Sequence, residues 1–168
     1  MTPPVGTYCN FMNAFLKRLN SPFSMRLFML WKLPGAWFFG ISVRSVSEEK
    51  AVVSLPYQWR SQNPFQSIYF AAQCAAGELS TGLLAMLALH DKPPVSMLVM
   101  QVESAFYKKA DQTLLFTCED GAAIAQTVEE ALKSGEGRTF RATSTGRLPD
   151  GTEAAKVWIT WSFKAKRR

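Results

Sequence analysis

The stretch QNPFQSIYFAAQCAAGELSTGLLAMLALH, residues 62–90, contains one Asp, Glu, Lys or Arg, Glu78, in a chain that is 19% charged. A buried ionised carboxylate is costly unless it is paired, reached by solvent or held neutral. Glu78 is therefore the first candidate functional residue. Apolar and small residues run from Phe65 to Leu89, between QWRSQNP (58–64) and HDKPP (90–94), and predict a helix over 65–89. A helix apolar on nearly every side is covered on most of them. Ala71, Ala72, Ala75, Ala76 and Gly77 allow a sheet or another helix to approach its backbone closely.

Outward from this helix the chain alternates between strand and helix patterns. Phe11, Phe15 and Leu19 recur at helical spacing with Lys17 and Arg18 on another face, predicting a leading helix over 10–31 with an interruption at Ser21-Pro22. Residues 36–46 and 51–57 are β-rich and flank EEK (48–50), as in an antiparallel hairpin. Beyond the long helix, strands are predicted over 95–107, with Leu98, Met100, Val102 and Phe106 on one face, and over 113–119. A short helix over 121–133 has Asp120 as its N-cap and Gly135 as its stop. A last hairpin joins RTFRATSTGRL (138–148) to AKVWITWSFKA (155–165) around Pro149-Asp150-Gly151, and Val157, Ile159, Trp161 and Phe163 alternate along its final strand.

Locally connected strand pairs favour an antiparallel sheet. The fold class is α+β: about six antiparallel strands wrapped around one long central helix, the hot-dog arrangement, with an extra N-terminal helix. The 168 residues suit a single domain, with 1–35 as an N-terminal helical extension and 36–168 as the core.

Composition narrows the chemistry. Cys9, Cys74 and Cys118 are odd in number and form no CxxC pair, so they are expected to be reduced thiols of a cytoplasmic protein. His90 is the only histidine and sits at a helix end, which leaves little for a Ser-His-Asp or Cys-His site. Neither GxGxxG nor GxxxxGK[ST] occurs, and no carboxylate-histidine cluster points to a metal, so neither metal nor cofactor is expected. The net charge is +6, and residues 1–60 hold seven Lys/Arg against two Glu. That balance favours anionic ligands or surfaces, whereas no nucleic-acid-binding signature accompanies it, so nucleic acid is not an expected partner. The opening MTPPVGTYCN has no basic start, and Gln66, Gln73, Glu78, Ser80 and Thr81 interrupt the long helix, so neither a secretory leader nor a membrane span is expected.

A carboxylate inside an apolar helix can serve as a general base or a nucleophile, and the unpaired N–H groups of a helix start suit a developing oxyanion. Asn63 stands just before the predicted helix. The spacing of these residues resembles that of the hot-dog acyl-CoA thioesterases of the phenylacetyl-CoA type, in the branch carrying an added N-terminal helix. The family's motif is an Asn, a His-Gly-Gly six residues later, and an Asp or Glu nine residues after the His. Here Asn63 stands at the Asn, Tyr69, Phe70 and Ala71 at His-Gly-Gly, and Glu78 at the acid. The resemblance implies that the Phe70 amide polarises a thioester carbonyl, that Glu78 activates water or attacks directly, and that Asn63 places the nucleophile or the carbonyl. The sequence departs from the motif in lacking the His and both glycines. The Phe70 side chain points aside or fills the acyl position.

Phe70 and Glu78 are eight positions apart, about 12 Å along a helix, too far to hold one carbonyl together. Acid and oxyanion donor are then expected from different subunits of a homodimer or dimer of dimers. Arg141, Arg147, Lys108 and Lys109 are candidates for the phosphates of an acyl-CoA or other acyl thioester. Gln73 either lines the same pocket or bonds a neighbouring carbonyl. Two other roles stay open: a non-catalytic module that binds fatty acyl or lipid-like ligands, with Glu78 a structural carboxylate hydrogen-bonded to Ser and Thr hydroxyls or to a partner helix, and a membrane-surface protein using the leading helix. Membrane association is the less expected.

Overall fold

Helix α4 (Phe70–Leu89) contacts every strand of a six-stranded antiparallel sheet. The structure, a computed structural model, describes residues 5–166, with side chains from Met12 onward. The strands are β1 (Ser42–Val46), β2 (Ala51–Leu55), β3 (Val95–Phe106), β4 (Leu114–Cys118), β5 (Arg138–Arg147) and β6 (Glu153–Ala165). Their order in the sheet is β1-β2-β4-β5-β6-β3. This is the hot-dog fold. Helices α1 (Val5–Leu19), α2 (Pro22–Lys32) and α3 (Pro34–Phe38) precede the sheet, and α5 (Gly121–Ser134) packs against α4, β5 and β6.

Small side chains let α4 lie close to the sheet. A methyl at Gly77 would sit 2.7 Å from Val157 Cβ on β6. One turn on, the buried hydroxyls of Ser80 and Ser144 meet at 2.7 Å, tying α4 to β5. Trp161 on β6 donates its indole N–H to Thr81 Oγ1 at 3.0 Å. By length and apolar composition α4 could cross a membrane, but 67% of that apolar window is buried in this fold. The alternating residues Val157, Ile159, Trp161 and Phe163 of β6 all face this core, as their period predicts.

The sequence places most elements and misplaces two boundaries and one strand face. Helix α4 starts at Phe70 instead of 65, because residues 62–68 fold into a turn that competes with helix. Asn63 Oδ1 accepts from the amides of Phe65 (3.0 Å) and Ser67 (3.2 Å) and from Ser67 Oγ (3.1 Å), and Gln66 adopts a φ of 57°. Asn63 is thus separated from the helix start by that turn. In the second case, residues 34–38 are helix α3, so the expected boundary at 35/36 falls inside a helix, and β1 begins only at Ser42. A short apolar run does not distinguish the two periods. Third, Leu98, Met100, Val102 and Phe106 of β3 do not share one face: the register shift between Val99 and Gln101 sets Leu98 opposite Ser162 but Val102 opposite the core-facing Ile159, and all four are exposed.

At the other end of the sheet the leading helix breaks where predicted. Ser21 caps α2, Pro22 opens it, and Asn20 reaches the free edge of β1. Asn20 accepts from Val46 N at 2.9 Å and donates to Val46 O at 2.8 Å, standing in for a neighbouring strand. Gly135 ends α5 in the left-handed region, at φ 70°. Asp120 occupies the N-cap position of α5 without capping it by its side chain, which instead accepts from Thr143 N at 2.7 Å.

Close contact at Gly77 yields a stability prediction. Gly77→Val forces branched volume into Val157 and should cost about 2–3 kcal/mol in chemical denaturation. A loss under about 0.5 kcal/mol, the range of ordinary surface changes, would show that the helix does not need this approach.

Candidate active site on the central helix

Glu78 lies on the one stripe of α4 that the sheet leaves partly uncovered, with Ala71, Cys74 and Ala75. Its carboxylate makes no hydrogen bond or ion pair with any described residue. The nearby donors are all committed. Ser80 Oγ bonds Gly77 O and Ser144 Oγ, Thr81 Oγ1 donates to the backbone oxygen of Glu78, and the Trp161 N–H is taken by Thr81. Gly82, one turn on, leaves the space beside the carboxylate open. A methyl there would lie 3.7 Å from Glu78 Oε1 and 3.5 Å from Trp161 Cζ2. Burial without a compensating donor raises the Glu78 pKa above the ordinary carboxylate range. A structural role bonded to neighbouring Ser and Thr hydroxyls is not what the described residues provide.

The start of α4 is a second polar feature. Its first N–H groups, those of Phe70 and Ala71, precede any intrahelical acceptor. Asn63, Phe65, Tyr69 and Phe70 line an open pocket of about 400 Å³ beside them, so three of the sequence candidates share one cavity. Tyr69 and Phe70 meet edge-on with centroids 4.8 Å apart, and Phe70 meets Phe106 of β3 at 6.5 Å. Gln73 is buried beneath, donating to Ile68 O at 3.0 Å, which favours the carbonyl-bonding role left open by its position. Its Oε1 is buried with no hydrogen-bond partner and can accept from a water.

The structure does not gather every candidate. Glu78 and the Phe70 amide lie on one continuous helix, about 12 Å apart along its axis and about 80° apart around it, so a single protomer cannot aim both at one carbonyl. Arg141 is on the opposite face of β5 from Ser144, in a two-pronged pair with Glu103 (3.0 and 2.9 Å) and over the Trp158 ring at 4.9 Å. Arg147 pairs with Glu153 at 3.5 Å, at the far end of the same strand. Neither is near Glu78 within the protomer.

His90 and Cys118 are held in the packed structure. His90 stacks on Phe15 at 4.0 Å, and burial pushes the Cys118 thiol up to about 12, so it stays protonated. Cys74 is free and half-buried, while the Cys9 side chain lies outside the described residues. Sequence patterning puts Trp161 on the packed face of β6 but does not disclose that the indole borders Glu78.

The raised pKa carries a sign. Folding favours the protonated carboxyl, so Glu78 weakens stability as pH rises from the ordinary carboxylate range through its raised value. Glu78→Gln, neutral throughout, should therefore melt higher than the wild type at neutral pH, with the advantage vanishing below the ordinary carboxylate range. Melting curves across pH check this. A variant less stable at neutral pH would mean that the carboxylate has a partner.

Comparison with known proteins agrees with this architecture. A protein of unknown function from Chlorobaculum tepidum superposes with a TM-score of 0.71 at 12% identity, over 87% of this chain and 98% of that one. A protein from Pseudomonas aeruginosa, described as of unknown function and a probable thioesterase, gives 0.69 at 13% identity over 87% and 97%. A thioesterase from Haemophilus influenzae gives 0.63 at 9% identity over 86% and 91%. At such identities the likeness establishes the fold, a hot-dog shared with thioesterases. No curated protein sequence is significantly similar to the chain. Residues 23–162 match the family model of a domain of unknown function, DUF4442, and with that span covering most of the chain, the protein belongs to the DUF4442 family.

Proposed function

We propose that the protein hydrolyses an acyl thioester, in the form of an acyl-CoA, at two equivalent sites shared between the subunits of a homodimer. The observation carrying this is the unpartnered, half-buried Glu78 with its raised pKa, on a helix whose start offers free amides beside an apolar pocket. Glu78 of one subunit takes a proton from water, and the resulting hydroxide attacks the thioester carbonyl held by the Phe70 amide of the other. The C–S bond then breaks, and the leaving thiolate takes the proton back from Glu78, giving a free acid and a thiol.

Asn63 uses its side-chain oxygen in the turn, which leaves its Nδ2 to hold the carbonyl or the water. Phe65, Tyr69 and Phe70 wall the acyl group. Arg147, whose ion pair at 3.5 Å is the looser of the two, is the better placed to turn toward a CoA phosphate, and Arg141 the less. Dimerisation is supported by β3, a 12-residue edge strand with exposed Leu98, Met100 and Val102, next to the β6 strand that borders Glu78. One observation favours the non-catalytic alternative: where the thioesterase motif has glycine, Phe70 places a ring at the pocket. A lipid-binding module would tolerate that ring, with Glu78 as its polar floor.

Thiol release from a panel of acyl-CoAs separates the two. The wild type is expected to turn over, and Glu78→Gln and Glu78→Ala should each lower kcat by about 10²–10⁴ with little change in KM. Equal rates in wild type and both variants would remove Glu78 from the mechanism. Absence of turnover together with a tightly retained fatty acid would establish the binding module. In the active wild type, kcat should rise with pH through an ionisation above the usual carboxylate range, because the base works only when deprotonated.

A further inference from the structure

Helix α2 is apolar on two faces, and the described residues cover only one. Met25 and Met29 are buried against the fold, while Phe23, Leu27, Leu30 and Trp31 form a stripe at i, i+4, i+7 and i+8 on the opposite side. Phe23 is 81% exposed and Trp31 77% exposed. The same end of the molecule presents Phe38 of α3 and Trp59 of the following 3-10 turn, edge to face at 6.0 Å, with Trp59 75% exposed. A soluble surface rarely shows so many large apolar side chains together without a partner.

The charge around this patch has one sign. No acidic residue occurs before Glu48, whereas Lys17, Arg18, Arg26, Lys32 and Arg44 do. Arg26 and Arg60 line a cavity of about 280 Å³ between α2, α3 and the ends of β1 and β2, floored by Met25, Met29 and Trp37. Neither guanidinium is in an ion pair among the described residues, and Arg60 lies 6.0 Å from the Phe38 ring.

We propose that α2, α3 and the 3-10 turn form a docking surface for an anionic lipid bilayer. Phe23, Leu27, Leu30 and Trp31 enter the headgroup–acyl boundary, and the Arg26–Arg60 cavity receives a lipid phosphate. At 11 residues α2 is about 16 Å long, too short to span and suited to lying in the plane. Exposed tryptophans with flanking cations are the residue types that settle at that depth. A second copy of this chain is the poorer occupant, because a two-fold contact of the patch with itself would set Arg26, Lys32 and Arg60 against their own copies. The polar residues interrupting α4 argue against a membrane span; a membrane-surface role for the leading segment is the less expected of the open roles, and this surface, on α2, belongs to that segment and not to α4.

The test is flotation of the full chain with phosphatidylcholine vesicles, with and without phosphatidylglycerol, at low and high salt. Binding is expected to the anionic vesicles, weakening with salt, and to fall roughly tenfold or more in Phe23→Ser/Trp31→Ser and in Arg26→Ala/Arg60→Ala. Circular dichroism confirms folding of the variants, and soluble acyl-CoA turnover should be the same in Phe23→Ser/Trp31→Ser as in the wild type. Absence from every lipid fraction would overturn the proposal, as would binding that neither variant alters. A drop in oligomeric mass of Phe23→Ser/Trp31→Ser by light scattering would overturn it in favour of a protein interface.

Discussion

The contact between the Gly77–Ser80 turn of α4 and strands β5 and β6 is the constraint on which the rest of the structure depends. With Val157 so close to the Gly77 backbone, no side chain fits at that position. The hydroxyls of Ser80 and Ser144 satisfy each other in a place where either alone would be a buried polar group without a partner. Once α4 lies this close, the curved sheet reaches it from β1 to β3, and its apolar surface is removed from water on nearly every side. What stays uncovered is a narrow stripe. Glu78 is the only charged residue of the helix, and it sits there.

That placement explains why the carboxylate is unusual. In most folds a half-buried Glu finds a lysine, an amide or a hydroxyl, but here each neighbouring donor is already engaged in holding the helix to the sheet. Thr81 and Trp161 show this directly, since their mutual bond fixes the helix and also withholds the indole N–H from Glu78. The same packing that builds the core thus leaves a group poised to bind a proton at higher pH than an ordinary carboxylate. A group of this kind weakens the fold and is useful to chemistry, a combination common at working sites.

The N-terminal helices solve a different problem. Strand β1 ends the sheet, and an open edge invites pairing with another chain. Asn20, at the break between α1 and α2, takes up the Val46 amide and carbonyl and closes that edge with a side chain. Strand β3, at the opposite end, has no equivalent cover among the described residues and presents apolar side chains instead. The two edges of one sheet are therefore treated oppositely, one sealed locally and one left available.

Much of the architecture was legible in the sequence. The apolar helix between QWRSQNP and HDKPP, the alternation of β6, the break at Ser21-Pro22 and the stop at Gly135 are local signals, set by side-chain period, proline and glycine, and each appears where it was expected. Glu78 stood out for the same reason, since an isolated charge in an apolar run is visible without coordinates. Other features depended on distant residues. The turn held by Asn63 removed a turn and a half from the predicted helix, because its side chain competes with helical hydrogen bonds. Whether Glu78 would find a partner hung on Trp161, 83 positions away, and on which hydroxyls the sheet would claim. The bare face of α2 and the pairing of Arg141 with Glu103 were likewise hidden, since periodicity tells which residues share a face but not what covers it. Sequence determined the elements and the one anomalous carboxylate, because both follow from neighbours along the chain. Tertiary structure alone decided which donors, faces and edges remained free, because burial and hydrogen bonding are settled by residues that meet only after folding.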